Sequence, residues 1–175
     1  MSVQQIVECT PESFRSKEGK LRIACKKIVE FNDAAVQRCV TDLTDTLHAN
    51  EIAIGLAAPQ IGIHLQIAVI NLKQADSVDL VLINPEIVAL AGSKDKKFES
   101  CMSLPHFKGL VIRKDKLTYR YSDIHGKIIE SRATGYLARV IQHEVDHLHS
   151  ELYVDRMVEG SELQPTDLFT LKSIN

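Results

Sequence analysis

The 175-residue sequence has no apolar run of membrane-spanning length, no CxxC pair, no internal repeat and no low-complexity tract. The first absence excludes a helical membrane span, which needs about 20 consecutive apolar residues. Four cysteines, Cys9, Cys25, Cys39 and Cys101, are too few and too scattered to form a disulfide scaffold. Cationic excess is also missing. The formal net charge is −2, so direct binding to nucleic acid or to a membrane surface is not expected. The start of the chain, Met1-Ser2-Val3-Gln4-Gln5, lacks the basic and apolar parts of a secretory signal. A cytoplasmic location is the expectation, with an organellar one as the alternative.

What is present is ordinary for a folded protein. Apolar residues make up 45% and charged residues 25%, and the length suits one domain, residues 1–175, with its own core. Asn32 or Asp33 is placed to cap a helix whose apolar residues Val36, Cys39, Val40, Leu43 and Leu47 share one face, ending near Asn50. The segment Gly55-Leu56-Ala57-Ala58-Pro59-Gln60-Ile61-Gly62 reads as a loop, because two glycines and a proline interrupt it. Ile67–Ile70 and Leu80–Ile83 read as buried strands, with a break at Asn84-Pro85. Gly92 to Lys97, with four charges, reads as a polar turn. Leu117, Tyr119 and Tyr121 alternate with polar residues, and a turn at 122–126 leads into Lys127–Glu130 as a hairpin. A second helix is expected from about Thr134 to Leu148, and after Met157 the pattern weakens. This order points to an α+β domain, rich in sheet.

The strongest chemical signal lies in that second helix: His143-Glu144-Val145-Asp146-His147. Residues i and i+4 stand one turn apart on the same face, so two imidazoles reach one metal ion. The intervening glutamate is then beside the metal's open position and suits a general base. Two solvent-facing histidines are the plain alternative. It is disfavoured because Tyr136, Val140, His143 and His147 form one stripe while Leu137, Ile141 and Leu148 form another, so the helix is buried on most sides. The motif contains no third ligand. Glu151, Asp155 and His149 follow it too closely or on an undefined loop. Upstream, Cys101 offers a thiolate, and Cys/His₂ leaves one position open for catalysis.

Three segments together resemble the peptide deformylase family. They are Ala53-Ile54-Gly55-Leu56-Ala57-Ala58-Pro59-Gln60, Glu99-Ser100-Cys101-Met102-Ser103 and Gln142 to Leu148. Leu82–Pro85 and Asp155–Met157 extend the resemblance, which spans roughly residues 20 to 157. It implies a sheet-rich domain wrapped around the helix that carries HExxH. It also implies that Cys101, His143 and His147 hold Fe²⁺, or Zn²⁺, Ni²⁺ or Co²⁺ in preparations, with water at the fourth position. By the same resemblance Glu144 is the general base and acid, while the Gln60 side chain and the Met102 backbone N–H stabilise the oxyanion. The substrate is an N-formylmethionyl peptide, bound as an added strand near Ile54 and Ser100. Gly55, Glu99, Tyr136 and Val140 complete the site, and Gly55 lets the Gln60 loop pass close to the peptide. An ion pair between Asp146 and Arg113 is implied as well, as are a monomer and a transient ribosome contact. His64, His106, His125 and His149 are assigned to surface or structural roles.

Two positions depart from the family pattern: Ala53 and Ser100 stand where it has glycine. A side chain at either place is expected to crowd the peptide. The short tail also lacks an obvious long amphipathic helix, unlike the best-known bacterial subtype. Three other functions compete: a deformylase-fold amidohydrolase for another N-formyl substrate, a metalloprotease, and a non-catalytic metal-stabilised binding module. The upstream cysteine argues against the protease. Glu144 and Gln60 argue against the module, which needs neither.

Overall fold

The structure is a computed structural model that describes residues 2–75 and 77–166. The chain begins extended, then forms a one-turn helix, α1 (Pro11–Arg15). The sequence pattern did not suggest α1, although its signals are local: Thr10 accepts the Ser13 N–H and Pro11 opens the first turn. α2 (Ala34–Ala49) is the expected amphipathic helix. Asp33 is its cap, accepting the Ala35 N–H at 2.7 Å. Its apolar stripe packs with Leu56, Ile67, Val69 and Ile83 in one core cluster.

The segment read as a loop is a short strand, β1 (Gly55–Ala57), followed by a 3₁₀ turn over Ala58–Ile61. Gly62, at φ +79°, closes that turn. β2 (Ile67–Ile70), β3 (Leu80–Cys101), β4 (Leu104–Ser122) and β5 (Ile128–Thr134) follow. Each pairs antiparallel with its predecessor, in the order β1-β2-β3-β4-β5.

β3 overturns two expectations. Asn84-Pro85 does not end the strand; the ladder shifts register between Ile83 and Glu86 and continues. Asn84 accepts the extra bend at φ +50°, and its side chain pairs with both backbone groups of Ile28 at 2.8 Å. Nor is Gly92–Lys97 a turn. It lies inside β3, paired with β4, around a second register shift between Ala91 and Lys94. Gly92 sits at φ +71°, its carbonyl accepts from Lys114 Nζ, and Ser93 donates to Asp115. Turn-like residues here mark bulges, because an inserted residue needs the same unusual backbone angles as a turn. The predicted hairpin is present, with longer strands than the alternation suggested.

α3 (Gly135–Leu148) carries HExxH. Ala138, Ile141 and Val145 pack on Ile70, Leu82, Leu117, Tyr119 and Ala133. A third cluster, including Phe14, Leu104, Val111, Leu152 and Tyr153, closes over Cys101. The tail expected to be weakly patterned adds a two-residue strand, β6 (Gln164–Pro165), on β4. The architecture is the expected sheet-rich α+β class. Among the described residues no helix is long and apolar enough to cross a membrane.

Candidate metal centre

β3 delivers Cys101 as its last residue, just before the two-residue turn Met102-Ser103. α3 delivers His143 and His147 one turn apart, with ring centroids 5.0 Å apart. One ligand atom from each of the three lies within 4.8 Å of the others. Cys101 Sγ stands 3.4 Å from His147 Nε2. His143 Nδ1 meets Glu99 Oε2 at 3.0 Å, which leaves Nε2 for the centre. Burial pushes the His147 imidazole well below its ordinary value, so it is neutral, as a ligand must be. Burial acts the same way on His143, but hydrogen bonds to Cys101 and Glu99 outweigh it and raise that imidazole.

These residues fit a divalent cation. A thiol and two imidazoles converge in the interior, where polar groups without partners are costly, and His147 Nδ1 has no hydrogen-bond partner among the described residues. One sulfur and two nitrogens suit Zn²⁺ or Fe²⁺, and three ligands leave a position open.

Behind the centre lies a charge network, and most of it follows from Glu99. Arg113 grips this carboxylate at 2.7 and 2.9 Å, and Arg139 Nη1 adds a third bond at 2.6 Å. Burial alone would raise the Glu99 carboxyl; the bonds from His143 and Arg113 hold it well below the usual carboxylate range. Glu99 is therefore an anion that fixes the His143 tautomer from behind. Arg113 also donates to Asp146 at 2.7 Å, the expected pair, and Arg156 approaches the other Asp146 oxygen at 3.1 Å. Arg139 was missed in the sequence. Its signal was available: it stands four residues before His143, on the same helix face.

Glu144 is 3% exposed and its Oε2 has no partner among the described residues. Burial pushes its carboxyl up to about 7. Gly55 lies directly against it. A Cβ at Gly55 would stand 2.4 Å from Glu144 Oε1 and 2.8 Å from its Cδ. Gly55 thus has a constraint beyond the expected passage for the peptide. Gln60 is also buried. Its Oε1 accepts the Ala57 N–H at 2.9 Å, and its Nε2 lies 3.3 Å from both Cys101 Sγ and Ser103 Oγ.

A cavity of about 240 Å³ opens in front of the centre. Its lining includes Ile54, Gly55, Gln60, Glu99, Ser100, Cys101, Met102, Tyr136, Val140, His143 and Glu144, so every expected site residue except His147 borders it. His147 is sealed behind, at 1% exposure. Ala53 and Ser100 both border the cavity, as expected. Ala53 is buried and also belongs to the α2 core cluster, while Ser100 is half-buried. Of the histidines given structural roles, His64 bonds to the Lys20 carbonyl and His149 to the Val145 carbonyl.

Residues 12–162 match the family model described as polypeptide deformylase. The chain belongs to that family. The deformylase of Legionella pneumophila is 33% identical, with 90% of this chain and 87% of that one covered and a TM-score of 0.78. The deformylase of Synechococcus elongatus is 32% identical, with 91% and 81% covered and a TM-score of 0.79. A class I type b deformylase from Acinetobacter baumannii, with Met-Ala-Ser bound, is 26% identical, with 90% and 100% covered and a TM-score of 0.76. Deformylases are metal-dependent hydrolases, and this chain is an enzyme of that kind, with Cys101, His143 and His147 as its candidate metal ligands.

Proposed function

We propose that this deformylase removes the formyl group from N-formylmethionyl peptides, with Glu144 as general base and acid. The observation that carries the reading is the Glu144 carboxylate, buried and unpartnered at Oε2 beside the Cys101/His143/His147 set. A purely structural metal site has no use for such a group.

A divalent cation held by those three side chains supplies Lewis acidity to water and to the formyl oxygen. Glu144 takes the proton from the attacking water. With its carboxyl near 7, it then returns that proton to the departing amine nitrogen. Formate and a free peptide amine result. Gln60 is held at Oε1 by the Ala57 N–H, which aims Nε2 at the centre. There, with the Met102 backbone N–H, it supports the oxyanion; donors of this type are worth about 3 kcal/mol each. β1 is an edge strand of the sheet, so a peptide can extend it beside Ile54 and lie against Ser100 opposite. Val140, Tyr136 and Gly55 form the wall for the methionine side chain. Met-Ala-Ser, bound in the Acinetobacter enzyme, supports a peptide of this class.

Fe²⁺ is the proposed native ion, with Zn²⁺, Ni²⁺ and Co²⁺ as substitutes. All four cysteines are free, which supports a reducing, cytoplasmic setting. We take residues 1–175 as one catalytic domain acting as a monomer. One observation favours a second reading: Ser100 places a hydroxyl on the cavity wall, which suits a different N-formyl compound.

The test is release of formate from formyl-Met-Ala-Ser by the Fe²⁺-loaded protein, beside other N-formyl compounds. Glu144→Gln should retain the metal and lose turnover. Activity of that variant within about tenfold of the parent protein contradicts the general-base role. Cys101 should resist alkylation until a chelator is added; equal labelling with and without metal removes it from the ligand set.

A further inference from the structure

The net charge of −2 averages over faces that differ sharply. Residues directly opposite in an antiparallel ladder share one face of the sheet. Along β4 between 108 and 120 the buried positions are Gly109, Val111, Arg113, Leu117 and Tyr119, so over that stretch the alternate positions form the outer face. That face carries Lys108, Lys114, Lys116 and Arg120. The pairings Lys94↔Lys114 and Lys96↔Ile112 add two lysines from β3, and Thr118↔Arg132 adds an arginine from β5. Against these seven cations stand two carboxylates, Glu86 and Glu130, both opposite Arg120 at one end. The rest of the chain is correspondingly acidic.

The arrangement is unfavourable for the folded protein alone. Lys94 lies directly across from Lys114, with Lys116 and Lys96 as same-face neighbours, and like charges in such positions repel. Lys94, Lys96, Lys116 and Arg132 have no anionic partner among the described residues. An external polyanion would offset this repulsion. The face also starts at the catalytic cleft. Ser100↔Lys108 and Phe98↔Leu110 are its first rows, Ser100 and Phe98 line the cavity, and Lys108 Nζ sits 5.0 Å above the Phe98 ring.

We infer that the outer face of β3-β4-β5 binds the phosphodiester backbone of structured RNA, without reading its sequence. The choice of RNA rests on the proposed function, because a nascent formylated chain is presented on an RNA-containing machine. A membrane fits the face less well. The exposed apolar side chains of β3 and β5, Val88, Leu90, Phe98 and Ile128, are spread along the strands with the cations between them. A surface helix or sheet that enters lipid instead needs a continuous apolar side.

Fluorescence anisotropy with a short RNA duplex tests the inference, using the metal-loaded full chain. The parent protein should bind at about 50 mM salt and lose roughly 500-fold in affinity by about 200 mM, as expected for about five phosphate contacts. K94E/K116E/R132E should weaken binding at least tenfold, while K94R/K116R/R132R keeps it. Both variants should deformylate free formyl-Met-Ala-Ser within about twofold of the parent. The inference is overturned by absence of RNA binding at low salt, or by equal binding of the Glu variant. It is also overturned by tighter binding to a DNA duplex of the same sequence or to phosphatidylserine vesicles. Loss of formate release by the parent protein with RNA binding intact contradicts the proposed reaction instead, and leaves the face as inferred.

Discussion

Glu144 and Gly55 fit against each other so closely that a methyl group on Gly55 would lie 2.4 Å from Glu144 Oε1. The contact joins the edge strand β1 to the HExxH helix α3, and it limits where the carboxylate can stand. Gly55→Ala should therefore push Glu144 aside without touching a metal ligand. A displacement of about 1 Å is enough to cost roughly 10²-fold in kcat. Metal content should stay at one ion per chain. A kcat within about threefold of the parent would show that Glu144 has room to move at no cost.

Arg113 and Asp146 should not be equivalent on truncation. Arg113→Ala strips partners from two buried carboxylates, Glu99 and Asp146, at once. Asp146→Ala leaves Arg113 still gripping Glu99 with two bonds. The first change should destabilise by about 3–5 kcal/mol and the second by clearly less. Urea unfolding of the two variants measures the difference. Equal losses would mean that Arg139 and His143 compensate Glu99 fully.

Ala53 and Ser100 call for separate treatment, although both stand in place of family glycines. The Ala53 side chain is a core contact as well as part of the cavity wall, so Ala53→Gly should cost about 1 kcal/mol of stability while also lowering KM for formyl-Met peptides. Ser100 borders the cavity, so Ser100→Gly should lower KM for formyl-Met peptides and leave kcat nearly unchanged. Steady-state kinetics of the single variants decides. A rise in KM for Ser100→Gly would make the hydroxyl a substrate contact. If formyl-Met peptides gain while another N-formyl compound loses, the second functional reading is favoured.

Asp155 gives a pH dependence away from the metal. Burial would raise its carboxyl, but hydrogen bonds from Arg22 and Lys17 outweigh that and lower it. Its folded pKa is thus below its unfolded one. The stability it contributes is complete above the unfolded value, near 4, and is lost as pH falls through the folded value. Asp155→Asn should be less stable than the parent at neutral pH, and the gap should shrink as pH falls below about 4. A gap that stays constant between neutral and acid pH would show that Asp155 does not titrate with folding.

The two long helices, α2 and α3, and the chemistry of α3 were legible in the sequence because a helix has a fixed period. His143 and His147 share a face at a spacing of four, whatever surrounds them, and the α2 stripe follows from the same rule. Cys101 was a candidate by its thiolate chemistry, while Gln60 and the Arg113–Asp146 pair came only with the family resemblance. What only the tertiary structure decided belongs to the strands and to contacts between distant segments. The face a strand residue occupies depends on its partner strand and on every bulge before it, so Gly92–Lys97 read as a turn and only the pairing of β3, β4 and β5 put seven cations on one face. Arg139 on Glu99 and Gly55 against Glu144 join segments 40 or more positions apart. No local period encodes such contacts; they exist because the core brings β1, β3 and α3 to the same point.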